Sequence, residues 1–282
     1  MIVVTGASGA LGRLVIQGLL KKLPAAQIVA AVRDPSKVED LAAQGVQVRR
    51  ADYDDAASLD AAFAGAQRVL MVSGHPGHRL EQHRNVVEAA RRAKVGLLAY
   101  TSILHGDASP LRMREDHVAT ENMIRASGLR FAFLRNGWYL ENFRSAIMSA
   151  AQHGQAAGAA GEGRISAAAR ADYADAAAAV LTLDDPQPVY ELAGSTSFSM
   201  PELVAEVARQ TGRPALYKHV TQEEYAAMLA GFGIPAPMPE LLADSDAQTA
   251  QGGLYDEGKV LEGLIGRPTR SMAEAVRQML AA

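Results

Sequence analysis

The sequence has no cysteine among its 282 residues, and only 5% of the residues are aromatic. Without cysteine the protein forms no disulfide, has no thiolate nucleophile and binds no metal through sulfur. No uninterrupted apolar stretch approaches the roughly 20 residues of a membrane-spanning helix. The formal net charge is −3, which argues against a dedicated nucleic-acid-binding protein, because such a protein needs a concentrated basic surface.

The remaining composition is that of a globular protein. Hydrophobic residues make up 49% and charged residues 21% of the chain, enough apolar surface to bury a substantial core. The first six residues have no basic segment before their short apolar run, so we expect no secretory signal. His, Asp and Glu show no spacing that indicates a metal site. We therefore expect a cytoplasmic protein that binds no metal, membrane or nucleic acid.

Short β-branched runs alternate with helical patterns in the first half of the chain. The predicted strands are residues 2–5, 27–32, 46–50, 68–72, 97–102 and 130–134, and the predicted helices are residues 11–22, 36–44, 56–64, 79–93 and 114–127. This alternation predicts an α/β fold of the Rossmann type, a doubly wound parallel sheet.

The pattern changes after about residue 150. Residues 154–163 are predicted as a loop or strand entry, residues 189–192 and 215–220 as strands, and residues 172–183, 200–211 and 222–230 as helices. We predict a dinucleotide-binding domain over residues 1–150 and a smaller α/β lobe over residues 151–282 that closes over the carboxyl end of the sheet. The segments near 136–145 and 170–185 are candidates for interleaving between the two.

A glycine-rich turn follows the first predicted strand. Gly6 permits the tight turn, Gly9 allows a pyrophosphate to approach the backbone, and Gly12 allows the helix to pack closely on the sheet. The amides and the dipole at the helix start favour phosphate. The alternative is an ordinary turn between strand and helix. The predicted cofactor-binding loop comprises Gly6, Ala7, Ser8, Gly9, Ala10, Leu11 and Gly12.

The end of the second strand distinguishes the two nicotinamide dinucleotides. A carboxylate there holds the ribose hydroxyls of NAD, whereas an arginine accommodates the 2′-phosphate of NADP. Arg33 stands at this position, so we predict NADPH, with a solvated surface arginine as the alternative. Asp34 is predicted to cap the following helix. Asp52 and Tyr53, after the third strand, are candidates to flank the adenine, with an acidic loop as the alternative.

Three other strand ends carry candidate cofactor contacts, because ligands of such sheets bind beyond the carboxyl ends of the strands. The alternatives are a strand-to-helix turn with a buried aromatic anchor after the sixth strand and side chains that satisfy strand-end amides after the fifth. The candidates are Ser73, Gly74, His75, Thr101, Asn136, Gly137, Trp138 and Tyr139.

These features together resemble the NmrA-like atypical short-chain dehydrogenases and, within that family, the bacterial type-2 NAD(P)H:quinone oxidoreductases. The resemblance extends over nearly the whole chain, and its most specific part is the Arg-Asn-Gly-Trp-Tyr-Leu-Glu-Asn run at residues 135–142. It implies NADPH binding, with Glu141 and Asn142 in the cofactor site, and hydride or electron transfer to quinones. Its other segments are residues 4–9, 82–86, 99–102, 170–173, 190–194 and 242–246.

The sequence departs from the carbonyl-reducing members of that superfamily. They carry Tyr-x-x-x-Lys on the helix after the fifth strand, and aligning Glu121 with the glutamate after that lysine puts Met113 and His117 at the two positions. Methionine donates no proton at neutral pH, so an ordinary alcohol dehydrogenase is disfavoured. His117 is the candidate catalytic residue, with a helix-surface histidine as the alternative. His83 is predicted to be a packing or interhelical residue.

A quinone needs less acid catalysis, because its reduction yields an aromatic product that solvent can protonate. We predict NADPH-dependent quinone reduction by direct transfer from the nicotinamide, without flavin, with Trp138, Tyr139 and His117 contacting the quinone. The alternative is a dinucleotide-binding redox sensor without turnover. Reduction of another electrophile and assembly as a homodimer also remain open.

Overall fold

The computed structural model describes residues 1–74 and 78–281 of the protein. Seven strands form one sheet, and two more pair separately. In chain order the strands are β1 (Ile2–Thr5), β2 (Ile28–Val32), β3 (Gln47–Arg50), β4 (Arg68–Met71), β5 (Leu97–Ile103), β6 (Phe131–Asn136), β7 (Gln155–Gly158), β8 (Val189–Leu192) and β9 (Leu216–His219).

The α-helices of the described residues connect these strands and extend beyond them. They are α1 (Ala10–Leu20), α2 (Glu39–Ala43), α3 (Ala56–Phe63), α4 (Arg79–Arg92), α5 (Arg114–Ala126), α6 (Arg144–His153), α7 (Arg170–Val180), α8 (Met200–Thr211), α9 (Gln222–Gly231), α10 (Met238–Thr249), α11 (Val260–Ile265) and α12 (Met272–Ala281). Within the described ranges no helix combines the length and apolar character needed to cross a membrane.

The large sheet has the strand order β3-β2-β1-β4-β5-β6-β8. All pairings from β3 across to β6 are parallel, with Val3 of β1 opposite Val29 of β2 and Val69 of β4. Both β1 and β2 are buried along their whole length, as expected of strands covered on both faces. The predicted doubly wound parallel sheet is confirmed. The order reverses between β1 and β4, and the crevice at such a reversal is where ligands bind.

The chain divides into two compact units, although not at residue 150. The first unit comprises residues 1–106, 115–136 and 170–191, and the second comprises residues 107–114, 137–169 and 192–282. The strand β8, predicted for the smaller lobe, is instead hydrogen-bonded beside β6 in the large sheet. Helix α7 packs against α1. The chain passes from the first unit to the second between residues 136 and 137 and returns between residues 169 and 170.

The second unit contains a two-stranded parallel sheet of β7 and β9 and two helices that begin with a capping box. Ser199 and Glu202 form a capping box at the start of α8, and Thr221 and Glu224 form another at the start of α9. Such reciprocal bonds satisfy the free amides of a first helical turn. The glycine- and alanine-rich segment, predicted as a loop or strand entry, contains β7.

Candidate functional site

The turn after β1 explains the spacing of its glycines. Gly6 leaves the strand with a φ of +59°, a conformation that favours glycine, and its carbonyl oxygen accepts the Gly9 amide at 2.9 Å. A Cβ on Gly12 would lie 2.5 Å from that same oxygen. Gly12 is therefore required by the close packing of α1 on the turn itself, rather than on the sheet as expected from the sequence.

The start of α1 is suited to an anion. Gly9 precedes the helix in an extended conformation, and among the described residues no side chain caps the helix amides there. The first turn of α1 has no carboxylate. Amides at a helix start, together with the positive end of its dipole, bind phosphate groups.

A cleft of about 470 Å³ opens at this turn in the first unit. It brings together six of the predicted cofactor-binding residues, from the glycine turn, the end of β2 and the segment after β4. The lining residues are Gly6, Ser8, Gly9, Arg33, Asp34, Lys37, Ala51, Asp52, Tyr53, Val72, Ser73, Gly74, His78 and Gln82. The cleft therefore lies at the reversal of strand order, between the ends of β1 and β4.

One end of the cleft is basic. Arg33 and Lys37 are exposed and line it. Asp34 does not compete with them for a ligand, because its carboxylate accepts the amide and hydroxyl of Ser36 at 3.1 and 2.7 Å. These bonds lower the pKa of Asp34 and confirm its predicted capping role. Sequence reasoning missed Lys37, although it lies four residues after Arg33.

Arg13 of α1 fixes the segment that carries Lys37. Its guanidinium donates to the Lys37 carbonyl oxygen at 2.7 Å and pairs with Asp40. The glycine turn and the basic end of the cleft are thereby connected through α1. The sequence does not predict this contact, because Lys37 and Asp40 are more than twenty residues from Arg13 along the chain.

Tyr53 lines the cleft, but its hydroxyl is directed into the protein. The hydroxyl contacts Thr5 Oγ1 at 2.5 Å and donates to the Val72 carbonyl oxygen at 2.8 Å. Burial raises the pKa of Tyr53, so the hydroxyl stays protonated. Tyr53 therefore supports the cleft wall through its hydroxyl, and only its ring is available to contact the adenine.

Side chains from three elements hold the backbone after β4, residues 72–74, here called the post-β4 segment. The amide of Val72 donates to Thr5 Oγ1 at 3.0 Å, that of Ser73 to Thr101 Oγ1 at 2.9 Å, and that of Gly74 to His83 Nε2 at 3.1 Å. The sheet ladder has ended at Met71, and these bonds replace it. Each amide of the post-β4 segment thus has a partner on the protein.

Other predicted cofactor residues are not among those that line the cleft. Ala7, Leu11 and Gly12 are buried beneath the turn, and Ala10 is exposed at the start of α1. Thr101 is buried behind Ser73. His75 lies outside the described residues. For these residues, contact with the cofactor stays a prediction.

His117, the candidate catalytic residue, is buried on α5. Its Nδ1 lies 2.8 Å from the Tyr100 hydroxyl, and burial, followed by the charge of Arg79, lowers its pKa well below the ordinary value. A neutral imidazole can hydrogen-bond to an acceptor, but it carries no imidazolium proton to donate near neutral pH. The predicted role of His117 in catalysis stays a prediction, restricted to hydrogen bonding.

The Arg-Asn-Gly-Trp-Tyr run straddles the division between the units. Asn136 ends β6 in the first unit, opposite Ile103. Gly137, Trp138 and Tyr139 begin a segment of the second unit, where the Ala168 amide donates to the Trp138 carbonyl oxygen at 3.1 Å. Their cofactor and quinone contacts stay predictions.

The end of the same run forms a short helical turn in the second unit. Glu141 is half-buried, and Asn142 is exposed.

Within the described ranges no group of His, Asp and Glu could hold a metal ion.

The second unit contains a half-buried carboxylate that the sequence did not single out as functional. Asp246 of α10 accepts the Ala159 amide at 3.0 Å, and a Cβ on Gly158 would come within 2.6 Å of it. Burial, followed by the charge of Asp246, raises the pKa values of Tyr217 and Tyr225. Burial in turn raises the pKa of Asp246 to about 6.

We expect Asp246 to make the stability of the protein fall as the pH rises from about 4 to about 6. In that range the folded state retains a proton that the unfolded state releases, so the free energy of unfolding decreases with pH. The span is at most about 3 kcal/mol, since one pKa unit corresponds to about 1.4 kcal/mol. Urea unfolding of wild type and Asp246→Asn at several pH values isolates this contribution. A stability difference between them that is constant over pH 4–7 would contradict it.

Nearly the whole chain is similar to known proteins. The model of the NmrA-like family matches residues 1–274. Quinone oxidoreductase 2 of Escherichia coli is 46% identical over 281 residues, covering 99% of this chain and 98% of that protein. The crystal structure of that NADPH-dependent enzyme with NADPH has a TM-score of 0.97 and covers 99% of this chain and all of that one.

A second solved structure is also similar. Triphenylmethane reductase of Citrobacter sp., complexed with NADP(H), is 36% identical with a TM-score of 0.94. The alignment covers 99% of this chain and all of the other.

Proposed function

The chain belongs to the NmrA-like family, and from that premise we propose that it reduces quinones with NADPH. The observation that carries the proposal is full-length similarity, at 46% identity, to an NADPH-dependent quinone oxidoreductase. This similarity supports an enzyme over the alternative of a redox sensor without turnover.

The residues of the cleft fit a phosphorylated dinucleotide. The uncapped start of α1 and the glycine turn suit the pyrophosphate, and a Cβ at Gly12 would disrupt that turn. Arg33 and Lys37 supply positive charge where a 2′-phosphate needs it, and a guanidinium can bind two phosphate oxygens at once. The sheet edge beside the post-β4 segment is where the rest of the cofactor would lie.

When bound, NADPH supplies the hydride, and the protein supplies its position. Met113 stands where related reductases carry a tyrosine acid, so this chain offers no phenol there. The neutral His117 can hydrogen-bond to an acceptor without protonating it. A quinone can be reduced without an acid from the protein, because its reduced form is stabilised by aromaticity and takes its protons from solvent. Orientation then provides most of the rate enhancement. Trp138 and Tyr139 are proposed to contact the quinone ring.

The direct test mixes purified protein, freed of flavin, with NADPH and a series of simple quinones. We expect loss of nicotinamide absorbance and formation of hydroquinone in equal amounts, with no requirement for added flavin. Tight NADPH binding without turnover of any quinone would instead favour the sensor. Strict dependence on added flavin would exclude direct transfer.

Arg33→Ala is expected to weaken NADPH binding about 10- to 100-fold, because hydrogen bonds to a charged group contribute about 1.5–3 kcal/mol. NADH binding should change little, since NADH lacks the 2′-phosphate. Lys37→Ala should act in the same direction with a smaller effect, because an ammonium is a point charge without the planar fork. Titration with both cofactors measures this. Arg91→Ala, which removes an exposed arginine paired with Glu88, is the control and should bind both cofactors normally.

The cellular location and the partners of the protein are a separate part of the proposal. We propose that it acts in the cytoplasm on a small-molecule quinone and has no nucleic-acid partner, in keeping with its net charge of −3. A monomer and a homodimer both fit the cleft described, which lies within one chain. Light scattering on the purified protein distinguishes them.

A further inference from the structure

His83 is a fully buried histidine on α4 that the proposed chemistry does not use. Its two ring nitrogens contact different elements. Nδ1 lies 2.8 Å from the Thr120 hydroxyl of α5, and Nε2 accepts the amide of Gly74 at 3.1 Å. The sequence predicted a packing or interhelical residue here. The contact with Thr120 joins two helices, and the ring packs edge-on against Tyr100 at 5.5 Å between centroids.

The hydrogen-bond pattern around His83 selects one tautomer. The Thr120 hydroxyl donates to the Asp116 carbonyl oxygen at 2.7 Å, so its oxygen is left to accept a proton from Nδ1. Nε2 then presents a lone pair to the Gly74 amide, the only role in which it can meet a donor. Burial, followed by the charge of Arg79, lowers the pKa of His83 to about 3. The ring is therefore neutral throughout the physiological range.

Gly74 is held at both of its backbone polar atoms. Its amide donates to His83, and its carbonyl oxygen accepts Arg79 Nε at 2.8 Å. Gly74 itself lines the cleft, and a Cβ there would lie 3.3 Å from Gln82. The position of this part of the cleft wall thus depends on side chains of α4 that lie behind it.

We propose that His83 is a positioning residue for the dinucleotide, fixing the Gly74 end of the post-β4 segment through Nε2. The cofactor meets a wall already in its bound shape, and less binding free energy is spent on ordering it. The other two amides of the segment are held by threonines that project from strands. His83 is on a helix, and it links the cleft wall to α5 through Thr120. This inference rests on the proposed use of NADPH.

Two variants distinguish a positioning role of His83 from a packing role, because each replaces only one of the two hydrogen-bonding ring nitrogens. In His83→Gln the side-chain oxygen can reach the place of Nε2 and accept the Gly74 amide. In His83→Asn the shorter amide replaces Nδ1, keeps the contact with Thr120 and leaves Gly74 without its acceptor. We expect His83→Gln to bind NADPH within about threefold of wild type and His83→Asn to bind it about tenfold or more weakly. The exposed His153→Asn is the matched control, with unchanged affinity.

The readout is direct titration of NADPH without quinone, alongside the melting temperature. Equal affinities of the Gln and Asn variants, whether or not their melting temperatures fall, would overturn the proposal, because packing alone does not distinguish them. A wild-type protein that binds NADPH but reduces no quinone would refute the proposed function and leave this comparison intact. Absence of NADPH binding by wild type would refute both.

A measurement on the unmodified protein covers the case in which the variants do not fold. Nitrogen-15 correlation spectra of the histidine rings should show His83 with its proton on Nδ1 and none on Nε2, before and after NADPH is added. A proton on Nε2 would overturn the proposal, since that nitrogen could not then accept the Gly74 amide.

Discussion

Gly12→Ala should weaken dinucleotide binding at least a hundredfold and lower the free energy of unfolding by about 1–3 kcal/mol. The added Cβ would lie 2.5 Å from the Gly6 carbonyl oxygen and 2.9 Å from the Gly6 carbonyl carbon. Both are backbone atoms, so no side chain can move aside to relieve the contact. The turn must shift, and the Gly9 amide that donates to the same oxygen shifts with it.

The two effects of Gly12→Ala are measured separately. NADPH titration should show at least a hundredfold loss of affinity, about 3 kcal/mol, and urea unfolding should show the loss of stability. The matched control is Gly263→Ala, a helical glycine of α11 around which a Cβ would have no neighbour within 4 Å. That variant should bind NADPH normally and be as stable as wild type, or up to about 1 kcal/mol more stable. Normal NADPH affinity in Gly12→Ala would contradict the assignment of the turn.

Of the first six strands, all except the edge strand β3 could be predicted because they are parallel and largely buried. Such strands are continuous apolar runs, as Ile28–Val32 shows, and their order is limited by short right-handed connections. The position of β8 could not be predicted in this way. Its four residues, Val189–Leu192, give only a brief alternation, and their neighbour in the sheet is decided by contacts distant along the chain.

The cleft was partly visible in the sequence, since Gly6 and Arg33 lie where a strand ends and a helix or turn begins. The roles of Lys37 and His83 were not visible. Lys37 resembles any exposed lysine, and His83 acquires its role from Gly74 and Thr120, which come from other elements. Asp246 resembles a polar helix residue until burial by neighbouring elements raises its pKa. In each case the missing information is a tertiary contact.

Glu121 illustrates the same point with the largest expected loss of stability. The sequence placed it only as a reference for Met113 and His117. In the structure it is fully buried, accepts both Nε and a terminal nitrogen of Arg135 at 2.9 and 2.7 Å, and accepts Arg125 at 3.0 Å. Ser102 donates to the same carboxylate at 2.7 Å. Arg135 is the first residue of the Arg-Asn-Gly-Trp-Tyr run, so Glu121 anchors the entrance to that run.

Glu121→Ala should lower the free energy of unfolding by about 3–5 kcal/mol, because the largely buried Arg135 guanidinium loses the carboxylate that binds two of its nitrogens. Glu191 pairs with the other side of Arg135 at 2.8 Å, but it is partly exposed and cannot replace two bonds. The bonds to Glu121 and Glu191 raise the pKa of Arg135. An arginine is also protonated at its ordinary pKa, so the guanidinium stays charged when Glu121 is replaced. Urea unfolding measures the loss.

Glu88→Ala breaks an exposed pair with Arg91 and should cost less than about 1 kcal/mol. Removing both charges together, in Glu121→Met with Arg135→Met, should recover much of the loss, since an apolar pair needs no charge compensation. A Glu121→Ala protein as stable as Glu88→Ala would show that the carboxylate is dispensable. Recovery by the double variant without recovery of NADPH binding would separate the two contributions of Arg135, stability of the buried network and placement of Asn136 at the end of β6.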